Sequence, residues 1–251
     1  MTQQAPPPND SHSGDSAHNL GLHWSRRGDL EQARIWYQRA VEEKTRGDAQ
    51  GRVDHAALGL SQHSVGYCLS SLGDYAQALP WFERAVTSKT LGDLHGDVDH
   101  HLLGASQHQV GYCLYGLGRF DEARSWFERS ADARAKGDAH GRVDHENIGA
   151  SLHLIGYCLY AAKEFEAARP WFERALAEKI RGDLRGQVDH ESLGLSLHEI
   201  GYCWYRTGAR DEAKAWFERA IAEKQQGNIH GHVDETSIQR SRNALALLNK
   251  D

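Results

Sequence analysis

Between Val98 and Asp138 the apolar positions fall in two trains. Leu103, Val110, Cys113, Leu114 and Leu117 form the first, and Phe120, Ala123, Trp126, Phe127 and Ala131 form the second, with Gly118 between them. Spacings of three, four and seven place each train on one face of an α-helix. Asp99 stands where a carboxylate accepts from the free amides of a first turn. Gly118 and Gly137 stand where a left-handed residue ends a helix. The pattern predicts a helical hairpin, with helix A of about 19 residues and helix B of about 17.

That hairpin is one copy of a repeat. Gly51–His95, Gly96–His140, Gly141–Arg185 and Gly186–His230 follow one another without a gap, at a period of 45 residues. A worn copy precedes them and a half copy follows. Self-similarity at a fixed period predicts a stack in which each unit buries its apolar face against the next. The expected organisation is a disordered Pro/Ser/Asp-rich tail over 1–17, repeats over 18–50, 51–95, 96–140, 141–185 and 186–230, and a capping helix over 231–251.

Two local rules are broken. Helix A holds two interior glycines per copy, such as Gly59 and Gly66, at a cost of roughly 1 kcal/mol each. Close approach of a neighbouring helix explains that recurrence. Pro80 and Pro170 fall inside helix B, where a bend is expected.

The segment "GYCLYGLGRFDEARSWFERS" resembles the tetratricopeptide repeat. Gly111, Gly118, Ala123, Phe127 and Ser130 match its small and aromatic signature positions, and the set recurs as Gly66, Gly73, Ala78, Phe82 and Ala85 and as Gly201, Gly208, Ala213, Phe217 and Ala220. Gly21, Gly28, Ala33, Tyr37 and Ala40 match in the first copy, whereas Lys163 replaces the turn glycine in the third full copy. The period exceeds the usual ~34 residues. In this the chain is similar to the longer repeats of kinesin light chain and of cell-polarity adaptors. The resemblance implies an all-α, right-handed α-solenoid whose A helices line a concave groove, a non-enzymatic scaffold or adaptor for a protein or peptide partner, and no cofactor.

Placed on that groove, two columns follow: His63, His108, His153 and His198, and four residues later Tyr67, Tyr112, Tyr157 and Tyr202. Tyr115, Tyr160 and Tyr205 make a partial third. Tyrosine supplies contact area at low entropic cost, and histidine supplies a donor and an acceptor. The competing reading is scaffold: His63 bridging to the next repeat, Tyr67 packed between A helices. Drifting positions on the same face (Ser64, Gln109, Leu154, Glu199) are where a particular partner would be read.

Charge narrows the partner. Lys+Arg 29 against Asp+Glu 35 gives −6, without a basic stripe, so nucleic acid is not expected. The first residues hold no apolar run, and neither a leader nor a membrane span is expected, which points to the cytoplasm. Cys68, Cys113, Cys158 and Cys203 recur singly and read as small core residues. No phosphate loop, nucleophile elbow or zinc-protease motif is present. The 16 histidines suggest a second class of function, a metal- or pH-responsive array. Histidines eight apart on one helix lie about 12 Å apart, too far for one ion. A loop set of Asp93, His95, Asp99, His100 and His101 is the better metal candidate, diluted in the other copies. Self-association into a homo-oligomer is the third class.

Overall fold

The computed structural model describes residues 13–248. Every element among them is an α-helix: α1 (Ser13–Arg26), α2 (Leu30–Thr45), α3 (His55–Ser71), α4 (Tyr75–Leu91), α5 (His100–Gly116), α6 (Phe120–Arg134), α7 (His145–Ala161), α8 (Phe165–Lys179), α9 (His190–Arg206), α10 (Arg210–Lys224) and α11 (Glu235–Leu247). The architecture is all-α, built of tandem helical hairpins at the 45-residue spacing. It divides into two compact units, Met1–Leu117 and Gly118–Asp251. The first holds α1–α5 and the second α6–α11.

Within each unit odd-numbered helices are A helices and even-numbered ones B helices. The full A helices are 17 residues, two shorter than the sequence suggests, because each begins only after its aspartate. Asp54, Asp99, Asp144 and Asp189 each accept from the backbone amide three residues on. The loop before each cap is braced in the same way. Asp48, Asp93, Asp138 and Asp183 accept from the amides two and four residues later. These carboxylates are therefore occupied as turn braces. Among the described residues no three His, Cys, Asp or Glu converge as metal ligands would.

The core of each 45-residue hairpin is a phenylalanine, and that of the first hairpin is Tyr37. Phe82, Phe127, Phe172 and Phe217 are fully buried. Gly66, Gly156 and Gly201 explain how: a Cβ there would lie 2.6–3.0 Å from the ring atoms of Phe82, Phe172 and Phe217. The other interior glycine makes room for a cation. A Cβ on Gly59 would meet the Cγ of Lys89 at 2.7 Å, and one on Gly149 that of Lys179 at 2.5 Å. The lysine stem runs across the glycine toward the next A helix. Close approach thus accounts for both glycines. Both proline-bearing helices run on through Pro80 and Pro170. Each proline is exposed.

Of the tail expected over 1–17, residues 13–17 belong to α1. Helix α1 begins at Ser13, and its polar first turn is in repeat register, with Gly14 over the Lys44 stem and Asp15 3.1 Å from the Lys44 ammonium. The rest of that expectation, 1–12, lies outside the described residues, as do the last residues of the expected cap. Lys163, in place of the turn glycine, has φ 64° and is the non-glycine with positive φ among the described residues. No helix among them is long and apolar enough to cross a membrane.

Candidate functional site

The histidine column proves to be a set of ties between successive A helices. His63 Nδ1 lies 3.0 Å from Ser106 Oγ, His153 Nδ1 3.1 Å from Ser196 Oγ, and His198 Nδ1 3.0 Å from Ser241 Oγ. His18 makes the same contact with Ser61 at 3.1 Å. The serines are fully buried. Ser106, Ser196 and Ser241 each also take a cation from the B helix of the preceding hairpin, as does Ser151. Lys89 Nζ donates to Ser106 Oγ at 2.8 Å, Lys179 to Ser196 at 3.1 Å, Lys224 to Ser241 at 3.2 Å and Arg134 Nη1 to Ser151 at 2.9 Å. The same cations reach a first-turn carbonyl of that A helix: Leu102, Ser192, Ser237 and Asn147. At Ser106, Ser196 and Ser241 one buried hydroxyl thus joins an imidazole and a cation.

The bridging alternative raised for His63 therefore describes His63, His153 and His198. His153 is 8% exposed and His198 2%. His63 and His108 are half-buried. Burial drives the imidazole pKa down in each buried case: His18 to about 4 and His198 to about 3, helped by Lys44 and Lys224 respectively, and His153 well below its ordinary value. The lysines pay the same desolvation penalty, which lowers Lys89 and Lys179 to about 8. Sequence reasoning missed the cation–serine half. The signal was present as a serine two residues before each histidine and a basic residue near each B-helix end. Both are polar residues recurring inside an otherwise apolar stripe.

The tyrosines divide by unit. In the first, Tyr67 (49%) and Tyr112 (42%) are exposed. Tyr112 meets Tyr75 edge-on at 5.9 Å between centroids, and Tyr115 is half-buried. In the second unit the rings form a continuous ladder, edge-to-face for Tyr157–Tyr160 at 6.2 Å and Tyr202–Tyr205 at 5.8 Å and tilted for Tyr160–Tyr202 at 5.6 Å. Tyr160 also touches Phe165 at 5.3 Å, and the Arg206 guanidinium sits 4.2 Å over that ring.

The ladder ends in a cleft of about 430 Å3 lined by Tyr160, Tyr202, His198, Arg240, Asn243 and Leu247. Its volume falls in the ~300–1,000 Å3 span of ligand sites. Arg240 comes from α11, so the half repeat supplies a wall. Behind it lies Glu199, 1% exposed, which accepts from Tyr157 Oη at 2.7 Å and Arg240 Nη2 at 3.2 Å. Burial raises the Glu199 pKa, against the pull of Tyr157 and Arg240. Burial first, then the Glu199 carboxylate, raises that of Tyr157. The drifting position filled by Ser64, Gln109 and Leu154 elsewhere holds here the carboxylate that fixes both Tyr157 and Arg240. Arg240 keeps most of its side chain exposed toward the cleft.

The repeating hairpins, small residues under buried aromatics and inter-repeat seams define a helical-repeat scaffold. The tetratricopeptide repeat profile matches residues 61–90 and 105–136, and a second such profile matches 15–39. Tetratricopeptide repeats are thus matched over these parts of the chain, and its fold is similar to that of kinesin light chain repeats. No curated protein matches the sequence. Among solved structures, the Podosopora anserina protein described as a kinesin light chain with nearly identical TPR-like repeats is 21% identical, with 87% of this chain and 98% of that one covered and a TM-score of 0.64. BtubC (BKLC) from P. vanneervenii is 19% identical, with 88% and 83% covered and a TM-score of 0.66. YrrB, described as a TPR protein with an unusual peptide-binding site, is 14% identical, with 93% and 94% covered and a TM-score of 0.58. At these identities the likeness concerns the fold.

Proposed function

We propose that this chain is a non-enzymatic scaffold that holds an extended segment of a protein partner against the A-helix tyrosines, anchored at the cleft of Tyr160, Tyr202 and Arg240. The observation that carries this reading is the aromatic ladder running into a cleft that Glu199 and Arg240 pre-organise. Tyrosine and arginine on rigid helices bury large area at little entropic cost, as binding hot spots do. The tyrosines take the contact role, while the buried histidines hold the A helices in register. Tyr67 and Tyr112 are exposed in the first unit and offer a further stretch of the same kind. A cytoplasmic setting fits this role, as does the single, unpaired use of each buried cysteine.

The test is selection of peptides from a random displayed library on the full chain, followed by anisotropy titration against wild type and Tyr160→Ala/Tyr202→Ala. Loss of two hot-spot rings should weaken binding at least about 30-fold while far-UV circular dichroism stays unchanged. Selected peptides that bind both proteins equally place the binding surface elsewhere.

A further inference from the structure

We infer that the His–Ser–cation seams make the array acid-labile in a graded way, so that mild acid opens the A-helix seams of the second unit before the hairpins themselves come apart. The geometry is the same at two successive seams of that unit. At the first, the α7 imidazole of His153 shares the Ser196 hydroxyl of α9 with the Lys179 ammonium of α8. At the second, the α9 imidazole of His198 shares the Ser241 hydroxyl of α11 with Lys224 of α10. A proton on either imidazole creates a second cation on a hydroxyl that already holds one.

The surroundings offer that proton no partner. His153 faces Phe172 of α8 edge-on at 5.0 Å and its own helix's Tyr157 at 4.9 Å. The charges that reach it are Lys179 and, from α11, Arg240. His198 faces Phe217 of α10 at 5.3 Å. Lys224 and Arg240 act on it, both disfavouring protonation. The nearby carboxylates are engaged elsewhere. Glu199 accepts from Tyr157 and Arg240, Glu146 accepts from Ser192 and faces Lys179 together with Asp189, and Glu191 and Asp234 act on Lys224. Burial keeps both imidazoles neutral in the closed seam, whereas an opened seam returns each to about 6.5. Acid therefore favours the open form. At pH 5 the opening equilibrium rises by about 30-fold per imidazole, the ratio 1 + 10^1.5.

Asparagine at the histidine positions keeps a donor and an acceptor with no proton to take up. One consequence rests on the reading above: opening these seams separates Tyr160 on α7 from Tyr202 on α9 and dismantles the cleft. The opening itself does not depend on that reading and is measured without ligand.

The experiment is amide hydrogen exchange by mass spectrometry on the full chain at pH 7 and pH 5, corrected for intrinsic rates, with wild type and His153→Asn/His198→Asn. Protection in α7 and α9 should fall up to about a thousand-fold at pH 5 in wild type, two imidazoles acting together, and by no more than a few-fold in the variant. An equal acid response in both proteins, or none in wild type, overturns the inference. Imidazole proton shifts of the wild type give an independent reading if the variant fails to fold. Buried histidines that titrate near 6.5 in the closed protein overturn it as well.

Discussion

Ser196→Ala isolates the seam chemistry in one atom. Ser196 is fully buried, and its hydroxyl receives Lys179 Nζ at 3.1 Å and contacts His153 Nδ1 at 3.1 Å. Removing it leaves the ammonium with the Ser192 carbonyl, also at 3.1 Å, and leaves the imidazole nitrogen enclosed without its partner. A hydrogen bond to a charged group contributes about 1.5–3 kcal/mol, and a stranded buried polar atom costs about 1–3 kcal/mol. Alanine's better helix propensity returns about 0.5 kcal/mol. The net expectation is a loss of about 2–4 kcal/mol in urea unfolding followed by circular dichroism at 222 nm. Ser16 stands one period before Ser61 and is half-exposed, so Ser16→Ala is the matched control, expected within about 0.5 kcal/mol of wild type. Adding Lys179→Met to Ser196→Ala removes both sides of the interaction, and the double variant should be less destabilised than the sum of the singles by at least about 1 kcal/mol. Equal stabilities for Ser196→Ala and Ser16→Ala, or strict additivity in the double variant, refute the shared-hydroxyl account.

Other substitutions test the packing and the electrostatics. Gly156→Ala drives a methyl to within 2.6–2.8 Å of the Phe172 ring, and overpacking of about 1–3 kcal/mol should outweigh the ~1 kcal/mol helix gain and lower the thermal midpoint. Lys163→Gly relieves a positive φ of 64° and should raise stability by up to about 1 kcal/mol in the same urea assay. Burial pushes the thiol of Cys68 up to about 11 and those of Cys113, Cys158 and Cys203 to about 12. The native protein at pH 8 should therefore react with a disulfide reagent orders of magnitude more slowly than after denaturation. Alkali should act opposite to acid: Lys89 and Lys179 lose their proton near pH 8 when folded but near 10.4 when unfolded. Stability should thus rise between about pH 8 and 9.5, by about 1–2 kcal/mol per lysine, and a flat profile there would show these amines to be well solvated.

The period, the hairpin, the caps and the interior glycines were legible because each is a local consequence of spacing. An aspartate at Asp99 caps the helix that follows it wherever that helix goes, and a glycine repeated at Gly66 and Gly156 reports a neighbour too close for a methyl. The capping aspartates and the loop braces at Asp93 and Asp138 likewise involve only residues within four of each other. What could not be read was which polar column faces water. Histidine and tyrosine sit four apart on one helix face, yet His198 is enclosed and Tyr202 lines the cleft beside it. The difference comes from Ser241 and Lys224, which lie forty-three and twenty-six residues away in sequence.

The same logic explains why the second unit holds the better-formed site although the repeats are nearly alike. Tyr67 and Tyr157 occupy one repeat position, and no spacing rule separates them. Tyr67 is exposed, whereas Tyr157 is fixed by Glu199, which is tied in turn to Arg240 of a helix that has lost the repeat's His, Tyr and Cys. The half repeat carries arginine and asparagine on that face, at Arg240 and Asn243. A single drifted residue, Glu199 where the other copies have Ser64, Gln109 and Leu154, then turns a generic aromatic stripe into an oriented one. On the proposed function, specificity is concentrated where repetition fails, at the junction between α9 and the half repeat of α11.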